Sequence, residues 1–289
     1  MNSYELSVLC LSLLLAVPFV GAFCVYISNK AKDYIAMAFG CIEFAVAVLA
    51  LLSFRNETAL VNVPEIVYLG LDFAFDGFRC LYTAVATFMW MISIIFSKEY
   101  MHGEHKVQRF YFFTLLTLFA TVGVLLSNSL YTTFIFFEVM SFTSYVWVAQ
   151  EEEKPALRAA DTYLAVAVIG GLVMLMGISM LYYMNGGSVL FADLADFITK
   201  ADNKTAVYAA GFMCLFGFGA KQVCSRFTSG FLKHTLLLLH LQVHFFPVCL
   251  QKQVSTASLC FQAMFLPKIP FGARLYLSLE PLPCSLEHL

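Results

Sequence analysis

Charge is what this sequence has least of. Only 12% of its 289 residues are Asp, Glu, Lys or Arg, against 61% hydrophobic, and a soluble domain cannot cover that much apolar surface with so little polar surface. The bilayer is the expected solvent. A formal net charge of −2 leaves no electrostatic footprint for DNA or RNA, so no nucleic-acid partner is expected. The nine cysteines contain no CxxC pair, and Cys10, Cys24, Cys41, Cys80 and Cys214 fall in or beside apolar runs. They read as small buried hydrophobes, with no disulfide framework and no metal site. Residues 1–5 (MNSYE) lack the basic stretch that opens a cleaved signal peptide, so the first apolar run is expected to stay in the membrane. No flavin, iron–sulfur or quinone signature is present, and no cofactor is expected. Nor is there the interfacial cluster of polar catalytic groups that a lipid-modifying enzyme would need.

What the chain does have is long apolar runs. A hydrocarbon core about 30 Å thick takes roughly 20 helical residues to cross. Such runs lie near 6–28, 33–54, 77–97, 110–127, 130–149, 158–184 and 205–221. The expected class is an all-α polytopic membrane protein with about seven transmembrane helices. Only the polar tripeptide Ser127-Asn128-Ser129 separates the fourth run from the fifth, which predicts an antiparallel pair, with one long bent helix as the alternative. The segment from Val61 to Phe75 is β-branched and partly alternating, which predicts a strand or hairpin outside the membrane.

Charges in the connections alternate. Lys30 and Lys32, then Lys98, Lys106 and Arg109, then Lys154 and Arg158 follow the first, third and fifth runs. The other connections hold Arg55 with Glu57, Glu65, Asp72 and Asp76, and later Asp193, Asp196, Lys200, Asp202 and Lys204. The positive-inside rule then puts the N-terminus outside.

An ionisable group at membrane depth is costly unless paired or hydrated, so each one is a candidate site. Glu138 sits in FIFFEVMSFTSYVWV, far from either end of its run. The plain alternative is a neutral acid bonded to a neighbouring helix. Lys221 ends AAGFMCLFGFGAK, where two glycines would let the helix loosen; its alternative is a lysine snorkelling to the interface. In one hydrated cavity the two would form a pair able to load and release protons. Glu43 in CIEFAVAVLALL is a weaker candidate, read first as a structural or partner-contact group. Asp76 in FDGFR reads first as a helix cap, and Asp161 as a helix-end group facing water.

The strings DGFRCLY, SNSLYTTFIFFEVMSFTSYVWVAQEEEKPALRAADTYL and GFGAK, in that order, resemble the proton-translocating antiporter-like subunits. That family includes chains L, M and N of bacterial NADH:quinone oxidoreductase, membrane subunits of energy-converting hydrogenases, and large subunits of Mrp Na⁺/H⁺ antiporters. The resemblance covers roughly 70–221. Its most specific piece, F-E-x-M-S-x-x-S-Y, lands on Glu138, and the family's seventh-span lysine lands on Lys221. The resemblance implies inverted five-helix repeats built around broken helices, a Glu–Lys couple in proton transfer, and a bacterial-type cytoplasmic membrane. It also implies other membrane subunits and a peripheral redox arm as partners, and H⁺, with Na⁺ as a second candidate, as the translocated ion. Lipid would surround the whole.

Past Lys221 the pattern stops, and the last 68 residues hold five of the eight prolines and four of the six histidines. One base lost in the Ala220–Lys221 codons would account for this. With the frame shifted back and the free codon bases chosen to follow the family, the segment can be read as a proline-rich stretch and a later L-T-K-T-G motif. The expectation is therefore two parts: a helical bundle over 1–221 and an out-of-frame, poorly ordered tail over 222–289. His240 and His244 in that tail are not read as metal ligands. On this reading the alternative to a proton-conducting subunit is a truncated, frameshifted, transport-inactive remnant.

Overall fold

The computed structural model describes residues 3–28, 31–64, 70–101, 106–150, 152, 154–201 and 203–231, with side chains omitted from 221 to 231. Lys30, Glu65, Asp202 and residues 232–289, including His240, His244 and most of the expected tail, lie outside the described residues. The elements in order are α1 (Ser3–Ile27), α2 (Lys32–Ser53), β1 (Ala59–Val63), β2 (Leu71–Phe75), α3 (Gly77–Tyr100), α4 (Val107–Leu126), α5 (Leu130–Val148), α6 (Lys154–Met184), α7 (Phe191–Lys200) and α8 (Lys204–Phe231).

Helices dominate because hydrocarbon offers no partner to a backbone N–H or C=O, and a helix satisfies both within its own segment. Among the described residues five helices are long and apolar enough to cross a membrane: α1, α2, α3, α4 and α6. The chain is an integral membrane protein. The two remaining expected spans correspond to α5, 19 residues interrupted by hydroxyls and Glu138, and to α8, whose apolar part is Lys204–Ala220. Outward faces carry large apolar side chains where lipid would lie, among them Ile169, Leu172 and Met176 on α6 and Phe212 on α8. Cys41 also faces outward, so it departs from the expected burial, whereas Cys10, Cys80 and Cys214 are buried.

Neighbouring helices run antiparallel, early residues of one meeting late residues of the next. Gly21 meets Phe39, Gly40 meets Ile94, and Gly170 meets Gly217, while Thr117 bonds Thr143 at 2.8 Å. The short break at 127–129 thus yields the expected antiparallel pair of α4 and α5. Two packed clusters result. One gathers α1–α4 and the hairpin around Leu14, Ile94, Tyr111 and Leu118; the other gathers α5, α6 and α8 around Met174, Ile178, Leu181 and Phe218. Phe119 and Phe136 join them edge to face at 5.5 Å.

The two ends of the bundle differ. At one, the connections after α1, α3 and α5 converge. Lys98 Nζ donates to Tyr34 Oη at 3.2 Å, and Lys106 and Arg109 reach Glu152 at 2.6 and 2.7 Å. Those two cations hold the exposed Glu152 carboxyl below the usual carboxylate range. At the other end, β1 and β2 pair antiparallel with Val61 opposite Phe73, which is the hairpin expected between Val61 and Phe75. The connection holding Asp193 and Asp196 is more structured than expected. It folds as the amphipathic α7, with Leu194 buried and both acids exposed.

Gly123 explains how α4 and α5 come so close. The ring of Phe136 occupies the space a side chain at 123 would need, and it is held there between Phe73 and Phe119. Gly123→Leu should therefore destabilise the bundle by about 1–3 kcal/mol, the usual cost of overpacking. The check is a lowered melting temperature in lipid nanodiscs; an unchanged one would show that the two helices part freely.

Candidate functional site

The site is built on α5, and α5 is aimed by the turn before it. Most polar groups of that turn are caught. Asn128 N donates to the Asp72 carbonyl at 2.8 Å, Phe191 N donates to the Asn128 carbonyl at 3.3 Å, and Leu130 N donates to the Val189 carbonyl at 3.1 Å. Arg79 donates to the Ser127 carbonyl and, at 3.2 Å, to Asn128 Oδ1. Asp76 secures Arg79 by a 3.1 Å ion pair, and its carboxylate accepts from Arg79 N at 2.7 Å as the N-cap of α3. The geometry therefore gives Asp76 the capping role, at the bundle's end and far from Glu138.

Eight residues into α5, about 12 Å along the axis at 1.5 Å per residue, stands Glu138, half-buried. Its carboxyl lies against Gly171 of α6, where an added Cβ would come within 2.8 Å of the carboxyl carbon. Only glycine at 171 leaves that space. Of the hydroxyls nearby, Ser141 and Ser144 donate to carbonyls four residues earlier in their own helix, and Thr143 to one three residues earlier. Tyr145, seven residues on and hence on the same face as Glu138, donates to Asp161 Oδ1 at 3.4 Å. Asp161 is exposed near the start of α6, where sequence reading put it. Glu138, Tyr145 and Asp161 thus mark a line from mid-span to the basic end.

On its other side α6 packs against α8 along a seam of small residues. A Cβ at Gly170 would meet Ala220 at 2.8 Å; one at Gly217 would meet the Gly170 carbonyl at 2.7 Å; one at Gly177 would meet the Ala210 carbonyl at 2.7 Å. Backbones approach this closely only where side chains are missing. Phe137 and Phe218 close the same level, 5.3 Å between centroids. Lys221 follows Ala220, so its backbone stands near the level of Gly170 and Gly171, the level at which Glu138 reaches α6. Its side chain lies outside the described residues. The glycines before it do not loosen the helix as expected: α8 is continuous from Lys204 to Phe231, and Gly217 serves close packing instead.

Glu43 does not join this site. It belongs to the α1–α4 cluster, is fully buried on α2, and neither carboxyl oxygen has a hydrogen-bond partner among the described residues. Also among the described residues, no three His, Cys, Asp or Glu gather as a metal would require. Sequence reading missed the Gly170–Gly171–Gly217 seam and the Tyr145–Asp161 contact. The paired glycines inside an apolar run were the available signal for the first; the second depends on how α5 and α6 pack.

A family profile described as the NADH:quinone oxidoreductase/Mrp antiporter transmembrane domain matches residues 127–229, from the turn before α5 almost to the end of α8. Over that segment the chain is similar to the membrane domain of the antiporter-like subunits. Curated proteins similar to this chain include those named antiporter subunit mnhD2. The Staphylococcus epidermidis protein is 29% identical over 154 residues, covering 53% of this chain and 30% of the relative. The Staphylococcus aureus protein is 28% identical over 155 residues with the same coverage. The chain thus spans about a third of the length of the curated relatives it matches. Two solved structures share the fold. A chain of the membrane-bound sulfane sulfur reductase, an archaeal respiratory membrane complex, superposes with a TM-score of 0.76 at 16% identity, covering 92% of this chain and 56% of that one. A chain of the Mrp complex from Dietzia sp. gives 0.60 at 22% identity, covering 74% and 41%.

Among the described residues Asp76 acts on α5 through Arg79 and the turn. Asp76→Ala should cost about 1 kcal/mol, typical of a lost N-cap, whereas Asp76→Asn keeps the capping oxygen and should cost less. Thermal melts of the two variants separate these outcomes, and equal losses would mean that the ion pair, not the cap, matters.

Proposed function

We propose that this chain is an ion-translocating membrane subunit in which protons pass by way of Glu138 and Lys221. The observation that carries the reading is the placement of a carboxylate halfway along a membrane helix, against a glycine, level with the stretch of α8 that holds Lys221. An acid at that depth is retained at a cost, and the small-residue seam leaves it room to change partners. Asp161 and Tyr145 offer a route between Glu138 and the basic end. The family profile that matches residues 127–229 supports the same reading, as does similarity to relatives named as antiporter subunits.

In this proposal H⁺ is the ion moved at Glu138 and Na⁺ is a counter-ion candidate. Other membrane subunits of the same assembly are the partners, and a redox arm is one source of driving force. The N-terminus faces outside, with the basic end of the bundle in the cytoplasm of a bacterial-type cell.

Two experiments test this. In inverted membrane vesicles carrying the assembly, Glu138→Gln should reduce the fluorescence-monitored pH gradient at least tenfold while leaving the amount of protein in the membrane unchanged. A full gradient in that variant would remove Glu138 from the pathway. For orientation, trypsin added to right-side-out vesicles should cut at the exposed Lys200 and Lys204 and spare Lys154 and Arg158. The opposite pattern would invert the topology.

A further inference from the structure

A second acid lies in the membrane, in a different part of the molecule. The buried face of α2 reads Ala36, Gly40, Glu43, Ala47 and Ala50, a stripe of small residues with one carboxyl in its centre. Small residues let α2 press against its neighbours: a Cβ at Gly40 would sit 3.2 Å from the Ile94 side chain of α3, and Phe44 packs on Phe88 at 5.3 Å. The result is that Glu43 has no exposure at all. Neither oxygen finds a hydrogen-bond donor or acceptor among the described residues.

The neighbouring hydroxyls are already used. On α3, Thr83 and Thr87 donate to carbonyls of their own helix. On α4, Thr114 donates to the Phe110 carbonyl and Thr117 donates to the Phe113 carbonyl and bonds Thr143. Charged and titratable groups on the packed elements stand away from Glu43 along the axis. The level opposite Glu43 falls between Phe88 and Met91 on α3, to judge from the Phe44–Phe88 and Gly40–Met91 contacts. Cys80 and Lys98 are then some seven or more residues off, about 10 Å at 1.5 Å per residue. On α1, where Gly21 meets Phe39, Glu5, Cys10 and Cys24 are similarly displaced. On α4, Arg109 and Tyr111 lie toward the basic end, beside the last turn of α1 that Gln108 reaches.

An ionised carboxylate in this place would be an isolated charge in a dry helix interface, which costs far more than holding the proton. A metal or alkali cation would need several oxygen ligands, and the stripe around Glu43 supplies apolar side chains only. We propose that Glu43 is a proton-binding site in its own right, a neutral carboxylic acid at neutral pH, separate from Glu138. It sits in the α1–α4 unit, on the buried face of α2. The site is independent of the proposed transport role of Glu138.

Infrared spectroscopy tests it on the full chain in lipid. A protonated carboxyl gives its own carbonyl stretch, and exposed acids, which ionise near pH 4, contribute none at pH 8. The expected result is a carboxylic acid band at pH 8 that survives in Glu138→Gln and is lost in Glu43→Gln. Glutamate-selective ¹³C labelling of the Glu138→Gln variant, with Glu43 intact, covers the case in which Glu43→Gln does not fold, because the pH 8 band must then shift with the label. No band in that background, or a band untouched by Glu43→Gln, overturns the proposal. A band that disappears on adding Na⁺ also overturns it, in favour of a cation site. Loss of transport in Glu138→Gln with the Glu43 band intact would leave this proposal standing, and the reverse result would remove it alone.

Discussion

Three residues between two helices hold this architecture together. Between α4 and α5 the backbone must reverse direction at the edge of the hydrocarbon, and every unpaired N–H or C=O left there would cost several kcal/mol. The chain meets that constraint by assembling a polar layer around Ser127-Asn128-Ser129. Strand β2 supplies the Asp72 carbonyl, the 189–191 loop supplies a carbonyl and an N–H, and Arg79 supplies the guanidinium. The hairpin, the start of α3 and the approach to α7 are consequently tied to one point. With the turn fixed, the direction of α5 and the depth of Glu138 follow.

From that turn onward, packing is governed by where side chains are missing. Gly123 admits the Phe136 ring, Gly171 admits the Glu138 carboxyl, and Gly170 with Gly217 admits one helix backbone against another. Lipid tails are as apolar as leucine, so burying apolar area adds little between helices in a membrane, and close van der Waals fit takes over. The same device that tightens α6 against α8 also leaves Glu138 beside a bare backbone instead of a side chain. Stability and site share one set of glycines here.

Much of this was legible in the residues. Run length located the helices, and the sparse polar residues at 127–129 located the reversal, because hydrocarbon makes both signals nearly binary. Alternation over Val61–Phe75 located the hairpin. Glu138 stood out by being charged in the wrong solvent. Other features were not readable, and for definite reasons. The α7 helix hid among Asp193, Asp196 and Lys200 because an amphipathic surface helix and a charged loop have similar compositions. Glycines near Lys221 pointed toward a loosened helix when read along one chain; only the neighbouring α6 reveals that Gly217 is a contact. Glu43 looked like a lesser copy of Glu138, since burial and partnership belong to packing, which a single helix does not encode.

The two membrane acids illustrate what such a group needs in order to work. A carboxyl that passes protons must meet different partners at different moments, so it requires space, partial access and other polar groups within reach. Glu138 is half-buried, faces a glycine, and has Tyr145 and Asp161 along the same side of α5. A carboxyl that merely holds a proton requires the reverse: full burial and no competing partner. Among the described residues Glu43 has both, between Gly40 and Ala47 on a tightly packed face. The tasks proposed for the two acids are therefore opposite, and the difference lies in their neighbours. In α5 the deciding neighbour is the absent side chain of Gly171, and in α2 it is the close approach that Gly40 allows to α3.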